Sequence, residues 1–143
     1  MSVLRDSAAG RLAVAATVID GVGAVVAHRN QLVGEPFGIR LPLAVPLSTE
    51  LALWGSATSA PLVMDLFALS LARRPPMDRR RARASIGLGV LRLIGVACEP
   101  VTWGRRHATI ATAAMVPCHL AIATSQIAFG LAALRPPPGG GDG

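Results

Sequence analysis

The sequence predicts an all-α fold, an integral membrane bundle of four helices. Three observations carry that expectation. Hydrophobic residues make up 52% of the 143 residues, and the mean hydropathy is +0.51. Charged residues are 15%, against about 25% in an ordinary soluble domain. The charges also crowd into short stretches. They leave four long apolar runs that a chain this small could not bury in water, because its surface-to-volume ratio is too high.

The first run, LAVAATVIDGVGAVVA at 12–27, predicts a helix over about 10–27. Asp20 lies inside it. A carboxylate at a helix centre costs about 2.5–3.5 kcal/mol on insertion, so this helix needs neighbours. The same run also fits a cleaved signal peptide, with Arg5 and Arg11 as the basic start and Val25 and Ala27 as the small-residue cleavage pattern. Residues 28–47 form a loop: Pro36, Pro42 and Pro46 prevent a continuous helix. Its apolar part, 36–47, lies along the membrane interface or dips in. A second helix is expected over about 48–72, capped by Ser48, with Glu50 in its first turn and a kink at Pro61.

Residues 73–83 hold Arg73, Arg74, Arg79, Arg80, Arg81 and Arg83. Pro75 and Pro76 end one helix there, and Asp78 caps the next. The third helix, about 82–103, contains Arg92, Glu99 and Pro100. Its glycines, Gly87, Gly89 and Gly95, suit close helix packing. After a turn at 104–107 the fourth helix runs over about 108–134, with Pro117 and His119 inside it. The four-helix domain ends at 134, and RPPPGGGDG at 135–143 is expected to be a disordered tail.

All 14 basic residues are arginine, and their placement sets the orientation. With the N-terminus inside, the inner segments hold nine arginines and the outer ones four. The positive-inside rule therefore favours N-in, C-in, and the expected location is the cell (inner/plasma) membrane, crossed several times. The arginine-rich loop from Arg73 to Arg83 is expected to touch anionic lipid. The net charge of +6 does not point to nucleic acid. Aromatic residues are only 3%, which leaves few stacking platforms, and no nucleic-acid-binding motif is present.

Polar residues inside the membrane are costly and turn inward. Each predicted helix carries one polar stripe at helical spacing: Thr17 and Asp20 on the first; Glu50, Trp54, Thr58 and Asp65 on the second; Ser85, Arg92 and Glu99 on the third; Thr112, His119 and Gln126 on the fourth. Counting along straight helices at about 1.5 Å per residue gives two layers. Asp65, Arg92 and Gln126 form an inner layer with an Arg92–Asp65 ion pair. Asp20, Glu99 and His119 form a second layer, with the imidazole between two carboxylates. Glu50 stands at the outer mouth. Trp54 and Trp103 suit interface anchors.

Acid–base chemistry on a lipophilic small molecule fits this set. His119, Glu99 and Asp20 are the candidate catalytic residues. Arg92, Asp65, Gln126, Glu50 and Trp54 are candidates for holding substrate. A small proton-coupled transporter is an alternative, and it would need a homodimer. An accessory subunit whose stripes pair with a membrane partner is another. Cys98 beside Glu99 and Cys118 beside His119 have the chemistry of zinc ligands, but neighbouring helix residues point about 100° apart. No metal and no cofactor are expected. Walker, dinucleotide-binding, nucleophile-elbow and zinc-protease motifs are absent.

Overall fold

The computed structural model of the protein describes residues 2–39, 45–56, 58–73, 77–105 and 109–135. It is helical throughout, with no strand among the described residues. Among the described residues there are five α-helices in place of the expected four: α1 (Ser2–Arg29), α2 (Leu47–Trp54), α3 (Leu62–Ala72), α4 (Arg79–Cys98) and α5 (Ile110–Leu134). Short 3₁₀ turns occupy Pro36–Gly38 and Pro100–Trp103. The tail beyond Arg135 lies outside the described residues, as do Arg40, Pro42, Arg74, Pro75, Pro76, Arg106 and His107.

The expected helix over 48–72 is a correction: it breaks in two. Pro61 brings no backbone N–H, and Gly55 takes φ +78°, where a side chain would be strained. Between them the hydroxyls of Ser56, Thr58 and Ser59 offer the backbone local partners. Ser56 N donates to Ser59 O at 2.8 Å, and Thr58 N donates to Ser56 Oγ at 3.1 Å. A second correction falls at the end of α4. Instead of running to 103, the helix stops at Cys98, Glu99 turns extended, and Pro100 opens the 3₁₀ turn. Proline disfavours the helical conformation in the residue before it, which places the break at Glu99. Asp78 caps α4 as expected, accepting from Arg81 N at 2.8 Å.

α4 and α5 pack antiparallel through small residues. Ser85 Oγ donates to the Gln126 carbonyl at 3.0 Å, Gly89 lies against Ala123, and Gly130 lies against Ala82. Of the three glycines expected to mediate close packing, only Gly89 does so; a Cβ on Gly87 or Gly95 meets nothing within 4 Å. A Cβ on Gly89 would sit 2.6 Å from the Ala123 carbonyl. Gly89→Ala should therefore lower stability by about 1–3 kcal/mol through overpacking. Gly87→Ala should be neutral or raise stability by up to about 1 kcal/mol through helix propensity. Thermal unfolding of the two variants followed by circular dichroism checks the pair, and equal midpoints would refute the close contact.

The N-terminal half of α1 meets the C-terminal half of α3 and the N-terminal half of α4 around Ala13, Ala68 and Leu88. The first turns of α1 and the last turns of α5 therefore lie at the end of the molecule where α4 begins. Burial is inverted relative to a protein folded in water. Among the described residues the interior holds twelve polar or charged side chains beside thirteen apolar ones, seven of them alanine. Val14, Val18, Val22, Leu66, Leu91 and Ile94 are all about half exposed or more. α1 (over Ala8–Arg29) and α5 are long and apolar enough to cross a membrane.

Candidate functional site

The broken stretch between α2 and α3 is the centre of the site. Its backbone groups need partners, because the helix that would have satisfied them is interrupted. The polar stripes supply these. Asp20 Oδ1 accepts from Ala60 N at 2.8 Å. Thr58 Oγ1 donates to the Gly23 carbonyl at 2.7 Å. His119 Nε2 lies 2.8 Å from the Thr58 carbonyl. A carbonyl can only accept, so Nε2 carries the proton, and this assigns the tautomer. The other ring nitrogen, Nδ1, is 3.5 Å from Asp20 Oδ1.

Arg92 forms the second part. Its Nη1 donates to Asp20 Oδ2 at 2.5 Å and its Nη2 to Asp65 Oδ1 at 2.7 Å. All three groups are buried, Arg92 at 4% exposure and Asp20 at 3%. The guanidinium fork suits two carboxylates in a way that a point charge would not. The expected Arg92–Asp65 pair is present, but the two-layer arrangement is corrected. Asp20 joins Arg92 and Asp65 in one cluster, with His119 at its edge. Glu99 stands apart, its Oε2 accepting from Glu35 N at 3.3 Å. Layer counting assumed straight helices and short side chains, whereas α3 and α4 end at breaks and arginine reaches across a layer.

Gln126 does not reach this cluster. Its backbone carbonyl takes the Ser85 hydroxyl, while its side-chain Oε1 is buried without a partner, as is Arg92 Nε. It lines a separate, very small void of roughly 20 Å³ near Ala13 and Leu88.

Beside the Arg92 cluster is a cavity of roughly 290 Å³. Five of the eight residues singled out from the sequence line it: Glu50, Trp54, Arg92, Glu99 and His119. Arg92, Gly95, Val96 and Glu99 present one face of α4 to it at three- and four-residue spacing, and the missing side chain of Gly95 leaves room. Asp20 and Asp65 stand behind Arg92 and are not part of the wall. Sequence reasoning missed Gly34, Pro36, Ser56 and Ser59, which also line the cavity. A signal for the two serines exists: a glycine, three hydroxyl residues and a proline within seven positions resemble turn chemistry more than a helix.

Cys98 is half-buried and Cys118 is exposed, so the thiol of Cys118 does not share the interior with His119. In comparisons with protein families, curated proteins and solved structures, nothing matches this chain.

Proposed function

We propose that the chain is a multi-pass protein of the cell membrane, N-in and C-in, whose cavity carries out acid–base chemistry on a lipophilic small molecule. The inverted burial supports the membrane reading, since an apolar exterior around a polar interior suits hydrocarbon and not water. Asp20 anchors the interior through Arg92 and the 55–61 segment, which supports a retained first helix over a cleaved signal. Arg73, Arg79, Arg80 and Arg83 are exposed at the end where α3 stops and α4 begins, where anionic lipid headgroups would lie.

The observation that carries the functional reading is a cavity holding Glu50, Glu99 and His119 within an otherwise largely apolar wall. Isomerisation, cyclisation and hydration need one proton donor and one acceptor in a dry pocket. His119 accepts at Nδ1, because its Nε2–H is committed to Thr58. Asp20, beside Nδ1, stabilises the imidazolium that forms. Glu99 in its acid form delivers a proton to the substrate. Asp20 and Asp65 are positioning residues, because both hold Arg92 in place. An open cavity supports this reading over an accessory subunit, whose centre would be packed by its partner.

The test works whichever lipophilic molecule is the substrate. The reconstituted protein is incubated in D₂O with lipids extracted from membranes, and lipophilic molecules are searched by mass spectrometry for deuterium at carbon. The wild-type protein should label one species. Glu99→Gln and His119→Ala should lower that rate by about 10²–10⁴-fold, the usual contribution of a general acid or base, while still inserting. Unchanged labelling in both variants would end the proposal.

The broken helix favours one second reading. Irregular backbone lining a cavity at membrane depth is a feature of transporters. In that case a homodimer would drive flux with a pH gradient, and vesicle uptake measurements separate this from catalysis.

A further inference from the structure

We infer that the cavity takes a lipophilic organic cation, an ammonium group carried on an apolar frame. This names the ligand class of the site proposed above and rests on the reading of that cavity as a small-molecule site.

The argument is a balance of charge. Arg92 is the one arginine among the described residues that line the cavity, and its two Nη groups are already held by Asp20 and Asp65. One guanidinium thus faces two carboxylates before Glu50 is counted. Glu99 accepts a single backbone N–H, from Glu35. Glu50 is 8% exposed and lines the cavity; its backbone N–H is held by the Pro46 carbonyl, while its carboxylate has no hydrogen-bond or ion-pair partner among the described residues. His119 is not a counter-ion for Glu50 or Glu99: its Nε2–H goes to the Thr58 carbonyl and its Nδ1 lies beside Asp20. A carboxylate so little exposed and without a partner is costly to keep charged, and a cation brought by the ligand relieves that cost.

The surroundings fit an organic cation better than a metal ion. Glu50 and Trp54 are four residues apart on α2, so they share a face. Trp54 lines the cavity too, and an indole is a partner for a cation through its π surface. Pro36, Met64, Leu91 and Val96 supply apolar wall. Among the described residues no group of three or more His, Cys, Asp or Glu side chains is placed to hold a metal ion. The volume of roughly 290 Å³ sits at the low end of small-molecule sites, about 300–1,000 Å³, which suits a molecule of one ring and a charged head. An anion would meet the Glu50 carboxylate, and a neutral molecule would leave it unpaired.

The experiment compares benzyltrimethylammonium with neopentylbenzene, its neutral carbon isostere. The full chain is placed in nanodiscs of phosphatidylcholine and phosphatidylglycerol. Trp103→Phe makes Trp54 the sole tryptophan, so its emission reports occupancy of the cavity above partition into empty nanodiscs. The cation should bind saturably and at least about tenfold more tightly than the isostere. Glu50→Gln should remove that preference while leaving the weaker binding of the isostere intact, which also shows that the variant is folded. Equal binding of the two molecules, or a preference that survives Glu50→Gln, overturns the inference and leaves the cavity as a site for neutral molecules. Binding of neither molecule overturns the inference together with the small-molecule reading beneath it.

Discussion

Replacing Arg92 with leucine should abolish recovery of folded protein. The substitution keeps much of the side-chain volume but leaves Asp20 and Asp65 buried and facing each other without a cation. Removing one partner of a buried charge cluster costs about 3–5 kcal/mol, and a small domain has only about 5–15 kcal/mol in all. The expected result is loss of the monodisperse species in size-exclusion chromatography, or a large drop in the thermal midpoint of whatever remains. Arg92→Lys should recover part of the stability, since an ammonium keeps the charge but cannot fork to both acids. The combination of Arg92→Leu with Asp20→Asn and Asp65→Asn should recover more, because it removes the charges that the single variant strands. An Arg92→Leu protein as stable as its parent would show that the bridge does not hold the bundle together.

The second large effect is expected from a glycine that bears no functional group of its own. Gly23 is buried on α1, and a Cβ built there would fall within the Thr58 carbonyl. That is backbone and cannot rotate away, so Gly23→Ala must push α1 and the 55–61 segment apart. Three contacts depend on their approach: Thr58 Oγ1 to Gly23 O, Ala60 N to Asp20, and His119 to Thr58 O. Overpacking alone costs about 1–3 kcal/mol, and the loss of satisfied buried polar groups adds to it. Gly21, two residues away, is exposed with nothing within 4 Å of its Cβ position. Gly21→Ala is therefore the control. Gly23→Ala should unfold at a clearly lower temperature than Gly21→Ala and should lose any activity that depends on His119. If the two variants behave alike, the close approach of α1 is not required.

The positions of the polar residues along each helix were legible in the sequence. Hydrocarbon does not solvate charge, so a carboxylate or guanidinium in an apolar run has to turn inward, and helical periodicity says which residues turn with it. This brought Asp20, Asp65, Arg92 and His119 into the interior, together with the Arg92–Asp65 pair. The break at 55–61 was less legible. Pro61 alone is compatible with a kinked but continuous membrane helix. What decides between kink and break is whether the freed backbone groups find partners, and those partners come from α1 and α5.

The amino-acid sequence by itself determined an all-helical chain with charged and polar residues confined to narrow stripes, because spacing and composition are properties of single segments. Only the tertiary structure decided that Arg92 joins Asp20 to Asp65, that Glu99 stands apart with Glu35, and that Glu50 is left facing a cavity. Those outcomes depend on where α2 and α4 stop and how closely α1 approaches the segment between α2 and α3. Both are fixed by which neighbouring atoms satisfy buried backbone groups, and that information is spread over distant parts of the chain.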